Sequence, residues 1–341
     1  MGTAIGALLE KQNISLSDLD GQTIAIDSYN IIYQFLSSIR GPDGQPLMDA
    51  KGRVTSHLTG LLYRTSNLIE KGIKPVFVFD GKPHELKAET LKARHAIRTE
   101  AIEKHEKALQ EGDMESAKKF GSRALKLTDE MLKDARFLLE ALGLPVVQAP
   151  SEGEAQASYM ALHKIVDACS SQDYDSLLFG APVLLRNIAV GGRKKLPGRN
   201  VWIDVEPERI VLEENLQRLK ISRQKLVWLG ILIGTDFNEK FPKIGTKTAI
   251  KLVQEHDSFE EICKAAKFAP EFDYREIEKI FLEPEYNEKA DVEFKPLDRE
   301  KVLQFLVDER AFSRDRVESV LNRLEPKLEE KGKQSNLKKW F

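Results

Sequence analysis

Seven acidic residues lie where an apolar stretch ends or a helix is about to begin. Asp27 follows the β-rich run 23–26, and Asp80 follows the apolar run 75–79. The others have similar contexts: Glu152, Glu154, Asp173, Asp175 and Asp236. Because the carboxyl ends of the strands of an open α/β sheet form the crevice in which ligands bind, we expect these side chains to meet there.

A crevice that collects seven carboxylates requires cations. Like charges at close range raise one another's pKa and repel unless cations lie between them. Sets of oxygen ligands favour Mg²⁺ or Mn²⁺ over zinc. Two such ions, about 4 Å apart, activate a water and stabilise the leaving oxygen of a phosphoryl displacement. The acids therefore predict metal-assisted hydrolysis of a phosphoester.

Each acid taken alone also has a structural interpretation. Asp27 could cap a helix or form a turn. Glu152 and Glu154 could favour a helix N-terminus through its dipole, with Ser151 as N-cap. The segment 173–175 could be a surface turn. A shared site is favoured because acids recur in four separate placements of the same type, which capping would not require.

Hydrophobic patterning predicts the elements that position these acids. Apolar runs separated by an amphipathic segment, 28–39, indicate an α/β fold with a mostly parallel central sheet flanked by helices. Further strand candidates are 145–148, 167–172, 182–185 and 201–204. Two long, largely polar helices are predicted over 85–141, followed by a helical region from 206 to about 328.

The overall charge conceals a segregated distribution. The chain has 341 residues, with 52 Lys or Arg and 54 Asp or Glu, and the net charge of −2 argues at first sight against a nucleic-acid partner. Segment 191–199, however, holds four bases and no acid. No apolar run approaches the roughly 18 residues of a membrane span. The N-terminus lacks the features of a secretion signal, and Cys169 and Cys263 lack zinc spacing, so we expect an intracellular protein without disulfides.

A glycine turn and two basic side chains suggest contacts with phosphates. The segment 241–252 has the form of a tight turn between two helices, with Gly245 allowing close backbone approach. Its amides, with Lys247 and Lys251, could bind a nucleic-acid phosphate, or the turn could be a plain helix connection with solvated lysines. Lys87 and Arg94, seven residues apart on a predicted helix, would share a face toward the crevice.

Taken together, these motifs strongly resemble those of the flap endonucleases of archaea and eukaryotes. The resemblance covers essentially the whole chain and rests on five ordered segments: Ile26-Asp27, Phe79-Asp80-Gly81-Lys82-Pro83, Ala149-Pro150-Ser151-Glu152-Gly153-Glu154-Ala155, Ser171-Gln172-Asp173-Tyr174-Asp175, and Gly234-Thr235-Asp236 followed by Ile244-Gly245-Thr246-Lys247. It implies a structure-specific nuclease that cuts 5′ flaps in lagging-strand maturation and long-patch base-excision repair, with 5′→3′ exonuclease activity.

The resemblance also implies the cofactors and the roles of individual residues. The seven acids match the family's metal ligands. Asp27, Asp80 and Glu152 would serve one Mg²⁺, Asp173, Asp175 and Asp236 a second, and Glu154 would lie near both. Lys87 and Arg94 match the family's catalytic Lys and Arg.

Other family features map onto the DNA-binding parts of the chain. Tyr33 matches an aromatic residue on which a base stacks, although from the sequence it could equally be a core tyrosine. Segment 85–142 corresponds to a helical arch through which the 5′ end threads. The glycine turn corresponds to a helix–two-turn–helix element that grips duplex DNA and holds K⁺.

The last eight residues match the sliding-clamp motif Gln-x-x-aliphatic-x-x-aromatic-aromatic. The matching residues are Gln334, Leu337, Trp340 and Phe341. One helical turn would place the three apolar side chains on one side as a plug. Because eukaryotic members commonly continue past this motif into a basic tail, we expect an archaeal source and a cytoplasmic, nucleoid-associated location, with a nuclear one only for a eukaryotic source. We also expect a protein that is monomeric by itself.

These assignments predict five regions and leave alternatives open. The regions are the α/β nuclease parts 1–84 and 143–235, the arch 85–142, a helix-hairpin-helix and C-terminal helical region 236–328, and a flexible tail 329–341. The alternatives are a non-catalytic, clamp-tethered protein that binds branched DNA, against which the intact acid set argues, and a related nuclease that cuts bubbles, which usually carries a longer arch insertion.

Overall fold

The chain forms two compact units, each assembled from three stretches of sequence. In the computed structural model, residues 3–41, 45–124, 126–189, 193–195 and 202–338 are described. The first unit comprises Met1–Ser28, Val78–Thr90 and Gln148–Ala290, and the second comprises Tyr29–Phe77, Leu91–Val147 and Asp291–Phe341. None of the described helices is both long and apolar enough to cross a membrane.

The central sheet has seven strands and a parallel centre. The strands are β1 (Gln12–Asn13), β2 (Thr23–Asp27), β3 (Lys74–Phe79), β4 (Val146–Gln148), β5 (Ala168–Ser170), β6 (Val183–Arg186) and β9 (Glu208–Val211), and a separate hairpin joins β7 (Arg193–Lys195) to β8 (Trp202–Asp204). The order in the sheet is β1-β9-β6-β5-β2-β3-β4. Strand β5 pairs in parallel with both β2 and β6, whereas β9 is antiparallel to β6 and β1.

The described helices account for most of the remaining structure. They are α1 (Ser28–Ser38), α2 (Ser56–Glu70), α3 (Ala88–Gln110), α4 (Met114–Arg123), α5 (Asp129–Ala141), α6 (Gly153–Leu162), α7 (Asp175–Leu178), α8 (Leu212–Leu219), α9 (Arg223–Ile233), α10 (Thr246–Glu255), α11 (Phe259–Ala266), α12 (Tyr274–Leu282), α13 (Arg299–Leu303) and α14 (Arg314–Lys338). The predicted α/β class is confirmed, and the edge of the sheet is antiparallel.

In the first unit, the core lies between the sheet and the C-terminal helices. The central strands are apolar on both faces, as Ile24, Ala25 and Ile26 of β2 are all buried, which is typical of a parallel strand covered on both sides. Helix α9 is buried from Leu226 to Leu232 and packs against α10 and α12. This packing fixes the position of the loop that follows α9.

In the second unit, α2 packs against α5 and α14. The buried residues of α14 recur every three or four positions: Val317, Val320, Leu321, Leu324 and Leu328. This spacing places them on one helical face. Helix α14 runs to Lys338, so the backbone of 329–338 is helical where the sequence suggested a flexible tail.

The segment predicted to hold two long helices contains three. Helix α3 ends at Gln110 before a turn at 111–113, and α4 ends at Arg123 before α5 begins at Asp129. Asp113 caps α4 by accepting a hydrogen bond from the Ser116 amide, and Thr128 caps α5 by accepting one from the Met131 amide. The second break was missed because it contains neither glycine nor proline, the usual signals of a break.

Candidate active site

The seven acids lie in the first unit, at the ends of strands or helices. Asp27 ends β2 and Asp80 directly follows β3, while Asp173 follows β5. Because β2 and β5 are parallel neighbours, Asp27 and Asp173 emerge at the same edge of the sheet. The remaining acids lie on flanking helices: Glu152 and Glu154 at the start of α6, Asp175 at the start of α7, and Asp236 after α9.

One group of these acids surrounds a lysine. The ammonium of Lys87 lies 2.5 Å from Glu152 Oε2 and 3.4 Å from Asp236 Oδ2, and the three side chains are largely buried. Burial alone would lower the pKa of Lys87, but the carboxylates of Glu152, Asp236 and Asp80 raise it overall. Lys87 therefore stays protonated and supplies a fixed positive charge to this part of the crevice.

Asp80 is held against the start of α6. Its Oδ1 accepts a hydrogen bond of 2.7 Å from the Gly153 amide. A Cβ at Gly153 would lie 2.6 Å from that oxygen, so only glycine lets the backbone approach the carboxylate. Burial, with Glu152 and Asp236 nearby, raises the pKa of Asp80 to about 6 despite the Gly153 amide and Lys87.

A second group of acids gathers around Asp175 and Glu154. Asp175 is 5% exposed, and its Oδ1 accepts a hydrogen bond of 2.7 Å from the Thr3 amide. Burial raises the pKa of Asp175 to about 6, with contributions from Asp236 and Asp173. Glu154 also has a raised pKa because of burial and the charges of Asp175, Asp27 and Asp173.

This arrangement fits a binding site for hard divalent cations. Buried carboxylates raise one another's pKa, which a cation bound among them would reverse. The donors are all carboxylate oxygens, the ligands that Mg²⁺ and Mn²⁺ prefer. Across the described residues, no three His, Cys, Asp or Glu side chains already form a complete ligand set around one point. The Lys87 ammonium instead lies beside two of the acids.

Comparison with known proteins identifies the family. The models of the XPG N-terminal domain and the XPG I-region match residues 5–101 and 143–236. Flap endonuclease 1 of Methanosarcina acetivorans is 48% identical over 341 residues, which is 100% of both chains. That of Pyrococcus furiosus is 49% identical over 342 residues, covering 100% of this chain and 99% of the relative. The chain belongs to the flap endonuclease 1 family. It is therefore a hydrolase that cuts DNA, and nucleases of this family are metal-dependent.

Solved structures of related nucleases share the architecture of this flap endonuclease family member. Flap endonuclease-1 from Methanococcus jannaschii matches with a TM-score of 0.77 and 39% identity, covering 97% of this chain and 100% of that one. Human GEN1 in complex with Holliday junction DNA has a TM-score of 0.68 and 22% identity, covering 95% and 77%. The latter likeness concerns the fold alone.

The two predicted catalytic cations of this family member lie in different elements. Lys87 ends a 3₁₀ turn, Glu85–Lys87, whereas Arg94 is half-buried within α3 of the second unit. The 3₁₀ turn runs directly into α3 at Ala88, and the expectation that both side chains share one helical face stays a prediction. The turn forms after Pro83, and the His84 ring accepts a hydrogen bond from the Leu86 amide. The catalytic role of Arg94 stays a prediction.

The residues predicted to bind DNA lie on exposed surface. Tyr33 is 37% exposed and accepts a 3.4 Å hydrogen bond from Arg98, so the alternative of a core tyrosine is wrong. Lys247 and Lys251 are exposed on α10. A Cβ at Gly245 would have no neighbour within 4 Å among the described atoms, so packing within the protein does not require glycine there, contrary to expectation.

The clamp motif lies at the edge of the described structure. Trp340 and Phe341 lie outside the described residues. Gln334 and Leu337 belong to the backbone of α14. The binding role of all four residues stays a prediction.

Two local features of the site were not evident from the sequence. The N-cap of α6 is Glu152 and not Ser151, and the Glu152 side chain pairs with Lys87 instead of capping the helix. The second feature is the support of Tyr174, which stands between two of the acids. Its hydroxyl accepts a 2.8 Å hydrogen bond from Lys11, and the Arg186 guanidinium lies 4.4 Å from its ring centroid.

Arg186 ties Tyr174 to its surroundings. It donates a hydrogen bond to the Gln172 carbonyl at 3.2 Å and forms an ion pair with Glu208 at 2.7 Å. This support fixes the loop that carries Asp173 and Asp175. An alternation of acid, aromatic and acid could have signalled a packed aromatic residue between two carboxylates of the site.

Proposed function

We propose that this chain is a Mg²⁺-dependent endonuclease that cuts DNA at the base of a 5′ flap and also acts as a 5′→3′ exonuclease. The observation that carries the proposal is the crowding of buried carboxylates whose pKa values are raised by burial and by each other. Such a cluster destabilises the fold unless it binds cations. The cluster lies at the carboxyl ends of parallel strands, and α/β folds bind their ligands at these ends.

Seven acids are available to hold two Mg²⁺ ions, for which Mn²⁺ could substitute. Three of these acids lie around Lys87: Asp80, Glu152 and Asp236. The other four lie near one another: Glu154, Asp175, Asp27 and Asp173. The division between two ions given by the family resemblance stays a prediction. When bound, the ions lower the pKa of a coordinated water and stabilise the leaving oxygen.

The chain's own residues orient the acids and the scissile phosphate. The amides of Gly153 and Thr3 each hold one oxygen of Asp80 and Asp175, which orients the two carboxylates. Lys87 remains cationic and reduces repulsion between the crevice and an incoming phosphate. We propose that Arg94 supplies a second positive charge to that phosphate.

The surface of α10 is proposed to hold the duplex. Gly245 stands at the N-cap position, and the exposed Lys247 and Lys251 follow on the first turns. Helix N-termini and lysines bind phosphates without reading sequence, so DNA binding should weaken steeply with added salt. A K⁺ ion at this element and stacking of a base on Tyr33 belong to the same proposal.

The biological role proposed for this activity is Okazaki fragment maturation in lagging-strand synthesis and long-patch base-excision repair. We propose that the C-terminal motif recruits the sliding clamp and that the protein acts as a monomer in the cytoplasm. Deleting residues 334–341 should abolish stimulation by the clamp and leave basal cleavage unchanged. Loss of basal cleavage would contradict a purely tethering role.

The test of the proposed activity is cleavage of a 5′-labelled flap duplex with Mg²⁺ or with EDTA. Asp175→Asn keeps the acceptor for the Thr3 amide but removes a negative charge, so cleavage should fall by at least about a thousandfold, since metal ions supply several kcal/mol of charge stabilisation. Asp20→Asn changes an exposed acid of the same unit and should cut normally. Cutting in EDTA, or equal cutting by both variants, would refute the proposal.

A further inference from the structure

A cleft of about 690 Å³ lies in the first unit, along one side of α6. It is lined by the last turn of α6, by Pro150 just before that helix, and by the loop 283–288. Two of its apolar side chains are conspicuously accessible, Leu162 at 52% and Tyr286 at 40% exposed. Exposed apolar surface within a cleft usually marks a contact site.

Three rings form a column along this cleft. Tyr286 stacks on Tyr159 with centroids 3.8 Å apart and planes 14° from parallel. The ring of Tyr159 also lies 4.2 Å from the ring of His163, at a tilt of 40°. Tyr286 is 40% exposed, so part of its surface is accessible to another planar group.

The loop that presents Tyr286 is held by a buried side chain. The amide group of Gln156, which is 0% exposed, donates to the Asn287 carbonyl at 3.0 Å and accepts from the Asn287 amide at 2.6 Å. This double hydrogen bond anchors the loop on the residue after Tyr286. A ring held in this way loses little conformational entropy when it binds a partner, which favours affinity.

The charge around the column is negative. Glu283, Glu285 and Glu288 line the cleft, and all three are exposed. Within the described part of the chain, no ion pair involves any of these three glutamates. The one arginine that lines the cleft, Arg223, donates hydrogen bonds to the carbonyls of Leu178, Phe179 and Phe281.

Glu288 also acts on the column itself. Burial, the charge of Glu288 and the neighbouring Tyr286 together raise the pKa of Tyr159. The negative field therefore reaches the stacked rings.

We propose that this cleft is a docking site for an arginine-containing basic segment of a partner protein. A guanidinium is planar and stacks on an aromatic face, and its donors match carboxylates such as those of Glu285 and Glu288. The acidic rim repels a phosphate backbone, so the cleft does not suit DNA. Leu162, which is 52% exposed, provides an apolar contact for a neighbouring residue of the segment.

The position of the cleft determines where a bound partner would lie. Helix α6 has ten residues and carries Glu152 and Glu154 at its start and Tyr159 near its end. The cleft also reaches Pro150, two residues before Glu152. A partner bound in the cleft would therefore lie against the helix that carries two of the acids. The inference is independent of the proposed metal mechanism, because none of the cleft side chains belongs to the acid cluster.

The test uses a fluorescein-labelled heptapeptide with two arginines between leucines, and a matched peptide in which both arginines are citrulline. Citrulline keeps the planar shape and removes the charge. In fluorescence anisotropy with the full chain, we expect the arginine peptide to bind at least tenfold more tightly. Tyr286→Ala and the double variant Glu285→Gln, Glu288→Gln should each weaken its binding at least tenfold, with unchanged urea unfolding and unchanged flap cleavage.

Several outcomes would overturn the proposal. Equal binding of the two peptides would show that the guanidinium charge does not contribute to binding. Unchanged binding by both variants would show that the peptide binds outside this cleft. Absence of peptide binding at millimolar concentration would also refute it. A single-stranded oligonucleotide whose binding is lost in Tyr286→Ala would assign the cleft to nucleic acid instead.

Discussion

The two units surround their largely buried carboxylates with different partners. In the second unit, Asp134 meets Arg310 in a two-pronged ion pair, with Nε–Oδ2 at 3.0 Å and Nη2–Oδ1 at 2.7 Å. In the first unit, Asp80, Glu154 and Asp175 lie among other carboxylates, whose charges add to burial in raising their pKa values. Burial raises the pKa of Asp134 as well, but the hydrogen bonds and charge of Arg310 oppose that rise. A cationic partner therefore offsets part of the cost of burying an acid, whereas neighbouring acids add to that cost. The difference indicates that the crowded acids are kept for binding and catalysis.

Breaking the pair in the second unit should have the largest effect on stability. Arg310→Ala leaves Asp134 without its partner, and the loss of one partner of a buried pair costs about 3–5 kcal/mol in the free energy of unfolding. Urea denaturation measures this loss. The control is Arg314→Ala, because Arg314 pairs with Asp308 at 3.4 Å on exposed surface and should cost less than about 1 kcal/mol. Equal losses would show that the Asp134–Arg310 pair contributes no more than a surface contact.

His57 should make the second unit sensitive to acid. It is buried, its ring nitrogens have no hydrogen-bond partner within the described ranges, and burial together with Arg310 lowers its pKa to about 4. The unfolded chain, with a pKa near about 6.5, binds a proton more readily. This contribution to stability is therefore complete above about pH 6.5 and is lost as the pH falls toward 4.

The measurement is the pH dependence of urea unfolding. Between pH 7 and pH 4.5, the free energy of unfolding should fall by about 2 kcal/mol more in the unchanged protein than in His57→Leu. Parallel pH profiles would mean that His57 does not titrate differently on unfolding. Only the change in the free energy of unfolding with pH is compared. A change in packing that is independent of pH therefore does not affect the result.

The crowded acids should make the free energy of unfolding depend on pH in the opposite direction from His57. Because the folded pKa of Asp80 is raised to about 6, the folded state binds its proton more tightly than the unfolded chain does. Its contribution to stability is present below about pH 4 and is lost as the pH rises through 6. Without metal at pH 8, Asp80→Asn should therefore raise the free energy of unfolding by about 1–2 kcal/mol.

Adding Mg²⁺ should reduce or reverse the difference in the free energy of unfolding between Asp80→Asn and the unchanged protein. Ligand binding to the folded state stabilises it by mass action, and the Asn variant has one ligand fewer. Asp20→Asn provides the control and should follow the unchanged protein with and without Mg²⁺. If Asp80→Asn were destabilising without metal, the acid would contribute to the fold in the same way as Asp134.

The smallest effect concerns the support of Tyr174. Removing the guanidinium in Arg186→Ala should loosen the loop that bears Asp173 and Asp175. Groups that orient metal ligands typically affect metal affinity by tenfold or more, so we expect the half-maximal Mg²⁺ concentration for cleavage to rise by about tenfold. The KM for DNA should stay unchanged, and Arg186→Lys should restore only part of the effect because Lys lacks the planar group. A changed KM with unchanged Mg²⁺ dependence would contradict the positioning role.

The sequence predicted the central strands well and the edge strands poorly. Strands such as β2 are buried on both faces and therefore appear as continuous apolar runs. Strands β1 and β9 were missed: Gln12–Asn13 has only two polar residues, and Glu208–Val211 begins with charged residues. The pairing that defines such short edge strands comes from their neighbours, which local composition does not record.

Contacts between distant segments were also beyond prediction. Ser151 has the residue type of a helix cap, yet Glu152 occupies that position, and its side chain pairs with Lys87, 65 residues away. The Thr3 amide reaches Asp175 across 172 residues. Neither partner could be named from local patterns, because hydrogen bonds of this kind depend on the packing of the whole unit.

The sequence by itself determined the class of the fold, the family and the acids at the ends of elements. These follow from local periodicity and from ordered motifs, which depend on neighbouring residues. Only the tertiary structure decided which acids are buried and face one another, that Lys87 lies among them, and that Tyr159 and Tyr286 stack in a cleft with an acidic rim. Burial and the distance between charges are set by segments far apart in the chain, and these quantities determine pKa values and binding surfaces.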